Sequence, residues 1–271
     1  DDNPALAAAV ASGRPIIPLF VLHEAADGRA WGAASLWWLE KSLRALDGDL
    51  RARGSRLILR RGDPAAIVPA LAQALGAQVM WNRLYGQAAV MRDSELKREL
   101  AAASFHASLL VEPWQVKTGS GAAYQTFTPF WKAAQAVMGG SQASPAPDRL
   151  RAPAACPGSD WLADWRLHPS GPDWSAGFDG DPGEAGARRA LTAFIAGRLN
   201  GYAQGRDRPS LEATPRLSAH LHWGEIGPRQ GRAAVLAAVG EVAGDKFLAE
   251  LGWREFNHHL LYQHGALYPR N

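Results

Sequence analysis

The chain has 271 residues, of which 47% are hydrophobic, and this length and composition allow it to bury one or two substantial cores. Its 29 Lys and Arg against 26 Asp and Glu give a formal charge of only +3, so charge alone does not establish a nucleic-acid partner. The single cysteine, Cys156, excludes an intramolecular disulfide framework and fits a reducing compartment. No apolar run reaches the roughly eighteen residues that a membrane-spanning helix needs. We therefore expect a soluble, cytoplasmic protein without a membrane partner.

The first half of the sequence alternates short apolar runs with amphipathic segments. Gly13 and Gly54 are typical helix ends, and Asp63 followed by Pro64 is a typical helix start. The predicted helices cover 3–12, 35–53, 63–75 and 90–103, and the predicted strands cover 16–22, 56–60, 78–81 and 108–112. This alternation with short connections predicts a parallel, doubly wound, Rossmann-like α/β sheet. No GxGxxG motif or P-loop follows a strand, so a standard dinucleotide or nucleoside-triphosphate site is not predicted.

The second half begins with a change of composition. Residues 139–187 are rich in Gly, Pro, Ala, Ser and Asp, which is typical of a linker, but Trp161, Trp165 and Trp174 indicate that it lies against a surface. Helical patterns return over 188–197, 216–223, 228–243 and 246–264. We therefore predict an α/β domain in 1–131, a linker in 132–187 and the first helices of an all-α domain in 188–271.

The last predicted helix groups residues of unusual chemistry. Glu250, Trp253, Arg254 and Asn257 share one face, because steps of three and four residues return to the same side of a helix. A carboxylate, a flat π surface and a guanidinium suit an extruded, stacked base better than an ordinary core. Ordinary packing is the alternative for Trp253, and an internal pair with Glu255 is the alternative for Arg254.

Two upstream segments, 202–207 and 213–218, together with this helix resemble the cofactor and DNA segments of the DNA photolyase/cryptochrome family. They occur in family order and at compatible spacing, and they are most similar to the bacterial cyclobutane pyrimidine dimer photolyases. The resemblance implies an α/β antenna domain followed by a helical domain that binds FAD. Since family chains are much longer, it also implies a fragment that lacks the first strand and the C-terminal half.

The resemblance assigns the phosphate side of the flavin site to the middle of the chain. Tyr202 matches a tyrosine that contacts the flavin phosphates, and Phe247 stands where some relatives have a flavin-contacting Trp. The phosphate-binding turn matches Thr214, Pro215, Arg216, Leu217 and Ser218. Orphan N–H groups and the helix dipole make a helix N-terminus a good pyrophosphate site. An ordinary N-cap at Thr214 is the alternative.

The resemblance also implies DNA containing pyrimidine dimers as the partner. Arg206 matches a position that contacts a DNA phosphate, with a surface ion pair to Asp207 as the alternative. Glu250 matches a carboxylate that bonds a pyrimidine edge, and Trp253 matches a ring that packs on the extruded dimer. The candidate lesion-binding residues are Arg206, Glu250, Trp253, Arg254 and Asn257.

The segment 81–85 resembles the antenna segment of the family, with Asn82 and Tyr85 as candidate contacts. Folate-binding relatives usually continue with an acidic residue, where this chain has Gly86 and Gln87. This departure counts against methenyltetrahydrofolate and leaves deazaflavin, flavin or no antenna open. The tandem His258 and His259 lack a second ligand set with zinc-like spacing, so no metal site is predicted.

The resemblance implies light-dependent repair, in which reduced FAD passes an electron to a cyclobutane pyrimidine dimer after absorbing blue light. The implied enzyme is a deoxyribodipyrimidine photo-lyase, expected to be a monomer. A cryptochrome-type photoreceptor and an inactive truncated protein are the alternatives. Glu250 and Trp253 favour repair, because a signalling protein needs no pocket shaped for a dimer. The chain by itself is expected to hold FAD weakly, since only the phosphate side of the site is present.

Overall fold

The computed structural model describes residues 1–24, 30–139, 143–168, 171 and 174–265. In the first half, the strands are β1 (Leu19–Leu22), β2 (Ile58–Arg61), β3 (Val79–Asn82) and β4 (Ala102–Phe105). The helices between and before them are α1 (Pro4–Ala11), α2 (Ala33–Ala52), α3 (Pro64–Leu75) and α4 (Gln87–Glu99). The predicted alternation of helices and strands is confirmed.

Local signals in the sequence account for the helix ends. The side chain of Asn3 caps α1 by accepting from the N–H of Leu6 at 3.0 Å. Asp63 caps α3 in the same way, accepting from the N–H of Ala65 at 2.9 Å. Gly76 ends α3 in the left-handed conformation, with φ of 57°, which glycine adopts without steric cost.

The strands form two parallel pairs. Strand β1 pairs with β2 from Leu19 opposite Ile58, and β3 pairs with β4 from Val79 opposite Ala102. No backbone ladder joins the two pairs within the described residues, so the single sheet expected from the sequence is divided. Helix α1 packs on β3 and β4.

The predicted strand at 108–112 is wrong. Helix α4 ends at Glu99, four residues earlier than predicted, and the fourth strand follows at once as β4. Residues 109–111 are buried but irregular, and the N–H groups of Leu110 and Val111 donate to the carboxylate of Glu255 at 2.7 and 3.2 Å. A carboxylate thus replaces the neighbouring strand that an apolar run of this length suggests.

The second half is helical. Its helices are α5 (Phe127–Val137), α6 (Glu184–Gly197), α7 (Tyr202–Gly205), α8 (Ser218–Trp223) and α9 (Pro228–His264). Both predicted terminal helices are present within α9, where the non-helical backbone of Gly240, with φ of 74° and ψ of −179°, separates them at a kink. Within the described part of the chain, no helix is both long and apolar enough to cross a membrane.

Two apolar cores organise these elements. One lies under α2 and the strands, and the linker contributes Trp165 and Leu167 to it, as its tryptophans predicted. Trp161 is instead 78% exposed, and the side chain of Trp174 lies outside the described residues. The second core joins α5, α6 and α9. Because α5 already packs in this helical core, the boundary at residue 131 stays a prediction.

Close packing between α5 and α9 predicts an unusual sensitivity at Gly252. A Cβ atom at this position would lie 2.6 Å from the ring of Trp131, so Gly252→Ala forces one helix to shift. We expect a loss of about 1–3 kcal/mol in the free energy of unfolding, measured by urea denaturation. Gly48→Ala is the matched control, since Gly48 is an exposed residue of α2 and no atom lies within 4 Å of such a Cβ.

The control should gain up to about 1 kcal/mol, because alanine favours the helix more than glycine does. Equal effects of the two substitutions would contradict this packing of α5 on α9.

Candidate functional site

The predicted face of α9 is present, but one of its members points inward. Trp253 is 43% exposed, Asn257 is exposed and Glu250 is half-buried. The guanidinium of Arg254 instead donates to the carbonyl of Ser108 at 2.8 Å and pairs with Glu255 at 3.2 Å. The internal pair with Glu255, which the sequence analysis named as the alternative for Arg254, is therefore present. A role for Arg254 in binding a lesion stays a prediction.

Two other predicted residues contact each other. The guanidinium of Arg206 forms an ion pair with the carboxylate of Glu250, and its Nε donates to Asp207 at 3.0 Å. The Nζ atom of Lys246 lies 3.7 Å from the same oxygen of Glu250. The surface pair named as the alternative for Arg206 is therefore present, together with the pair to Glu250. Of this cluster, Glu250 lies one helical turn from Trp253 on α9.

A residue that the sequence did not single out completes this surface. Phe127, the first residue of α5, stacks on Trp253 with 4.0 Å between ring centroids and 9° between the planes. Phe256 contacts Trp253 edge-on at 5.9 Å. No local periodicity links α5 to α9, so sequence spacing could not have found the stack. The predicted α/β domain, 1–131, included Phe127 only through its position near the end of that domain.

The predicted phosphate-binding turn lies just before α8. Helix α8 begins at Ser218, and no side chain caps its first N–H groups, so Thr214 is not an ordinary N-cap. Arg216 has a left-handed backbone, with φ of 53°, which explains why the helix starts two residues later than predicted. Leu217 is buried, whereas Thr214 and Ser218 are exposed. Pro215 is half-buried between them.

Two carboxylates, one of them from the linker, balance the positive charge of Arg216 in this turn. The guanidinium of Arg216 pairs with Asp179 at 2.9 Å and with Glu212 at 3.4 Å. All three side chains are largely exposed, so these pairs contribute little to stability. Arg216 is thus able to exchange a carboxylate for another anion at small cost.

The remaining two flavin candidates belong to the helical core. Tyr202 and Phe247 are both buried, and their rings meet at 5.9 Å with Phe194 against each of them. Burial raises the pKa of the Tyr202 hydroxyl. Arg206 lies over the ring of Tyr202 at 5.7 Å, which links this core to the Glu250 cluster.

The antenna candidates are engaged within the chain. The side chain of Asn82 accepts from the N–H of Ala5 at 3.1 Å and donates to Asn3 at 2.9 Å, so it ties α1 to β3. The hydroxyl of Tyr85 donates to Glu112 at 3.1 Å, and burial raises its pKa. Contacts of Asn82 and Tyr85 with an antenna chromophore stay a prediction.

One buried acid fixes the end of α9 that carries the candidate site. Glu255 is 2% exposed and accepts from the N–H groups of Leu110 and Val111 and from Arg254. Burial raises its pKa to about 7, against the opposing effects of Arg254 and the two amides. One turn further, Nδ1 of His259 lies 3.2 Å from the carbonyl of Pro113. Sequence reasoning recognised Glu255 only as a partner for Arg254.

Comparison with known proteins places these features in a family. Residues 1–149 match the sequence model described as DNA photolyase. The chain belongs to the DNA photolyase family. Over its whole length it is 39% identical to a deoxyribodipyrimidine photo-lyase of Agrobacterium fabrum and 32% identical to cryptochrome-1 of Arabidopsis thaliana, covering 58% and 42% of those proteins.

The solved structures agree. A crystal structure of a bacterial class III photolyase from Agrobacterium tumefaciens superposes on the whole chain with a TM-score of 0.91 at 38% identity, and the chain covers 58% of it. The chain thus spans between 42% and 58% of the length of these three relatives. The family that segments in the second half of the sequence predicted is confirmed, although the family model matches residues 1–149. The predicted α/β fold followed by helices is confirmed as well.

The raised pKa of Glu255 predicts a specific pH dependence of stability. The folded state retains a proton that the unfolded state has lost, so the free energy of unfolding falls as pH rises from about 4.5 to about 7. Glu255→Gln cannot titrate, and the difference between wild type and variant should change by about 3 kcal/mol across this window. Urea denaturation at pH 4.5 and pH 8 measures it.

Glu95→Gln is the control, because Glu95 is a largely exposed acid on α4. As a substitution on the surface, it should change the free energy of unfolding by less than about 0.5 kcal/mol. A difference for Glu255→Gln that stays constant with pH would show that Glu255 does not bind its proton in the folded protein.

Proposed function

We propose that this chain, within a polypeptide of full family length, is part of a FAD-dependent deoxyribodipyrimidine photo-lyase that splits cyclobutane pyrimidine dimers in DNA under blue light. The observation that carries the proposal is the pairing of an exposed Trp253 with the carboxylate of Glu250 one turn away on α9. An aromatic face and a hydrogen-bonding carboxylate together recognise an extruded base. The 39% identity to a photo-lyase over the whole chain supports the same activity.

The turn before α8 fits the phosphates of FAD. Its first N–H groups have no side-chain cap, and the exposed hydroxyls of Thr214 and Ser218 stand beside them. Such orphan donors and the positive end of the helix dipole favour an anion. Tyr202 and Phe247 would support this side of the cofactor from the core. When bound, reduced FAD supplies the electron that opens the dimer.

The chain's own residues would bind and orient the DNA. Arg206 and Lys246 hold positive charge beside Glu250, where a strand phosphate can replace that carboxylate as their partner. Glu250, released from that pair, would accept a hydrogen bond from an N–H on the pyrimidine edge. Trp253 would stack on the extruded base, and Asn257 lies exposed on the same face.

A cryptochrome-type photoreceptor is the second candidate, and the 32% identity to cryptochrome-1 favours it. A photoreceptor with an empty pocket gains nothing from a half-buried carboxylate beside an exposed ring and bears its desolvation cost. Glu250 and Trp253 therefore weigh towards repair.

This proposal also implies a partner, an oligomeric state and a compartment. We propose DNA containing pyrimidine dimers as the partner, a monomer as the working form and a reducing, cytoplasmic compartment, supported by the lone Cys156. An antenna chromophore, either methenyltetrahydrofolate or deazaflavin, would lie near Asn82 and Tyr85.

Repair is tested with a polypeptide of full family length that carries this chain. Blue light should remove cyclobutane dimers from irradiated DNA. Glu250→Ala should lower the yield at limiting DNA about tenfold or more, because it removes a hydrogen bond to a charged group. Flavin content, measured by absorbance, should not change.

Glu95→Ala is the control, because Glu95 is a largely exposed residue of α4. This variant should repair dimers with the yield of the wild type. If the wild type removes no dimers under blue light while holding FAD, the repair proposal fails and the photoreceptor takes its place.

A further inference from the structure

Three aromatic rings from two helices form a continuous parallel stack. The ring of Phe127 lies 4.0 Å from Trp253 at 9° between the planes, and 6.3 Å from Trp131 at 12°. Trp131 is 8% exposed, so the stack runs from the helical core to the surface, where it ends at Trp253.

The sequence explains why the stack has this geometry. Phe127 and Trp131 are four residues apart on α5, which puts them on one face. Trp131 can approach α9 only because position 252 is glycine, whose missing Cβ would lie 2.6 Å from the ring. Phe256 then closes the edge of the stack, meeting Phe127 at 6.2 Å with 69° between the planes. The plane of Trp253 is therefore set by α5 as well as by its own helix.

The stack also decides which side of Trp253 is accessible. Phe127 covers one face of the indole, yet Trp253 is still 43% exposed. Since Phe127 occupies one face of this ring, a base that stacks on Trp253 has only the opposite face to use. A single free face accepts one stacked base and does not allow a second base to enclose the ring.

We propose that Phe127 is a positioning residue for lesion binding, which holds Trp253 so that its one free face receives an extruded pyrimidine. This inference rests on the proposed function and deepens it. An indole without this support would lose conformational freedom on binding, because a side chain on a helix surface samples several rotamers. Phe127 removes that freedom before the DNA arrives, which favours binding through preorganisation.

The test compares two oligonucleotides, one with a single cyclobutane thymine dimer and one with undamaged thymines. Fluorescence anisotropy at one fixed salt concentration gives both dissociation constants for a polypeptide of full family length. Phe127→Leu removes the ring and should raise the constant for the damaged strand about two- to tenfold, the usual range for an aromatic pair. The constant for the undamaged strand should not change, since it rests on phosphate contacts.

Rescue separates positioning from general packing. Phe127→Tyr keeps the stacked ring and should keep the wild-type ratio of the two constants. In a Trp253→Ala background, Phe127→Leu should have no further effect on that ratio, because there is no indole left to position. Phe127→Met serves the same comparison if the Leu variant does not fold.

The outcomes distinguish the two claims. If the wild type prefers the damaged strand and Phe127→Leu prefers it equally, or weakens both strands equally, the inference is wrong and the proposed function stands. If the wild type binds both strands equally, the proposed function and the inference fail together.

Discussion

A buried carboxylate joins the two halves of this structure. Glu255, on α9 of the helical part, accepts from two backbone amides of the irregular segment that follows β4. Removing a carboxylate from water costs several kcal/mol, and only good hydrogen bonds or a paired charge offset that cost. Leu110, Val111 and Arg254 supply both and offset part of that cost, while the remainder raises the pKa of Glu255 to about 7. Because the two amides can donate only where Glu255 reaches them, these bonds favour one position of α9 relative to the α/β part. That position determines where the preceding turn of α9 lies.

The candidate site is the outward side of the same turn. Arg254 and Glu255 face inward and fix the helix, while Glu250, which pairs with Arg206, and the exposed Trp253 face outward. A second helix then adds Phe127 to the outer side. A site built on two packed helices holds its side chains more closely than one built on loops. The arrangement suits recognition of a base, where an aromatic face must be presented at a fixed angle.

Local patterns predicted the parts of the fold that depend on local chemistry. Gly13, Gly54 and Asp63 mark helix ends through backbone freedom or a side-chain cap. The structure ends α1 and α2 shortly before the two glycines and begins α3 directly after Asp63. The strand predicted at 108–112 is wrong because an apolar run only indicates a buried segment. It does not show whether the backbone amides of that segment donate to a neighbouring strand or, as here, to a carboxylate. The bond to Glu255 joins residues far apart in the chain, and no periodicity reveals it.

The site shows the same division. Spacing on one helix grouped Glu250, Trp253 and Asn257, and it also included Arg254, which the structure turns inward. Helical spacing shows which residues share a face, but not whether a long side chain turns toward solvent or toward the core. For Arg254 this depends on the carbonyl of Ser108, which lies far away in the sequence. Phe127 was missed for the same reason. The phosphate-binding turn was predicted from the resemblance to a family and not from single residues such as Thr214, and it stays a prediction.

Amide hydrogen exchange at Leu110 and Val111 tests most directly whether Glu255 docks α9 on the α/β part. Both N–H groups lie outside helices and strands, so their protection depends on this carboxylate. Measured by NMR at neutral pH, both amides should exchange as slowly as those in the core of α9, and Glu255→Ala should accelerate both. Exchange at the rate of an exposed loop in the wild type would contradict the docking of α9 through Glu255.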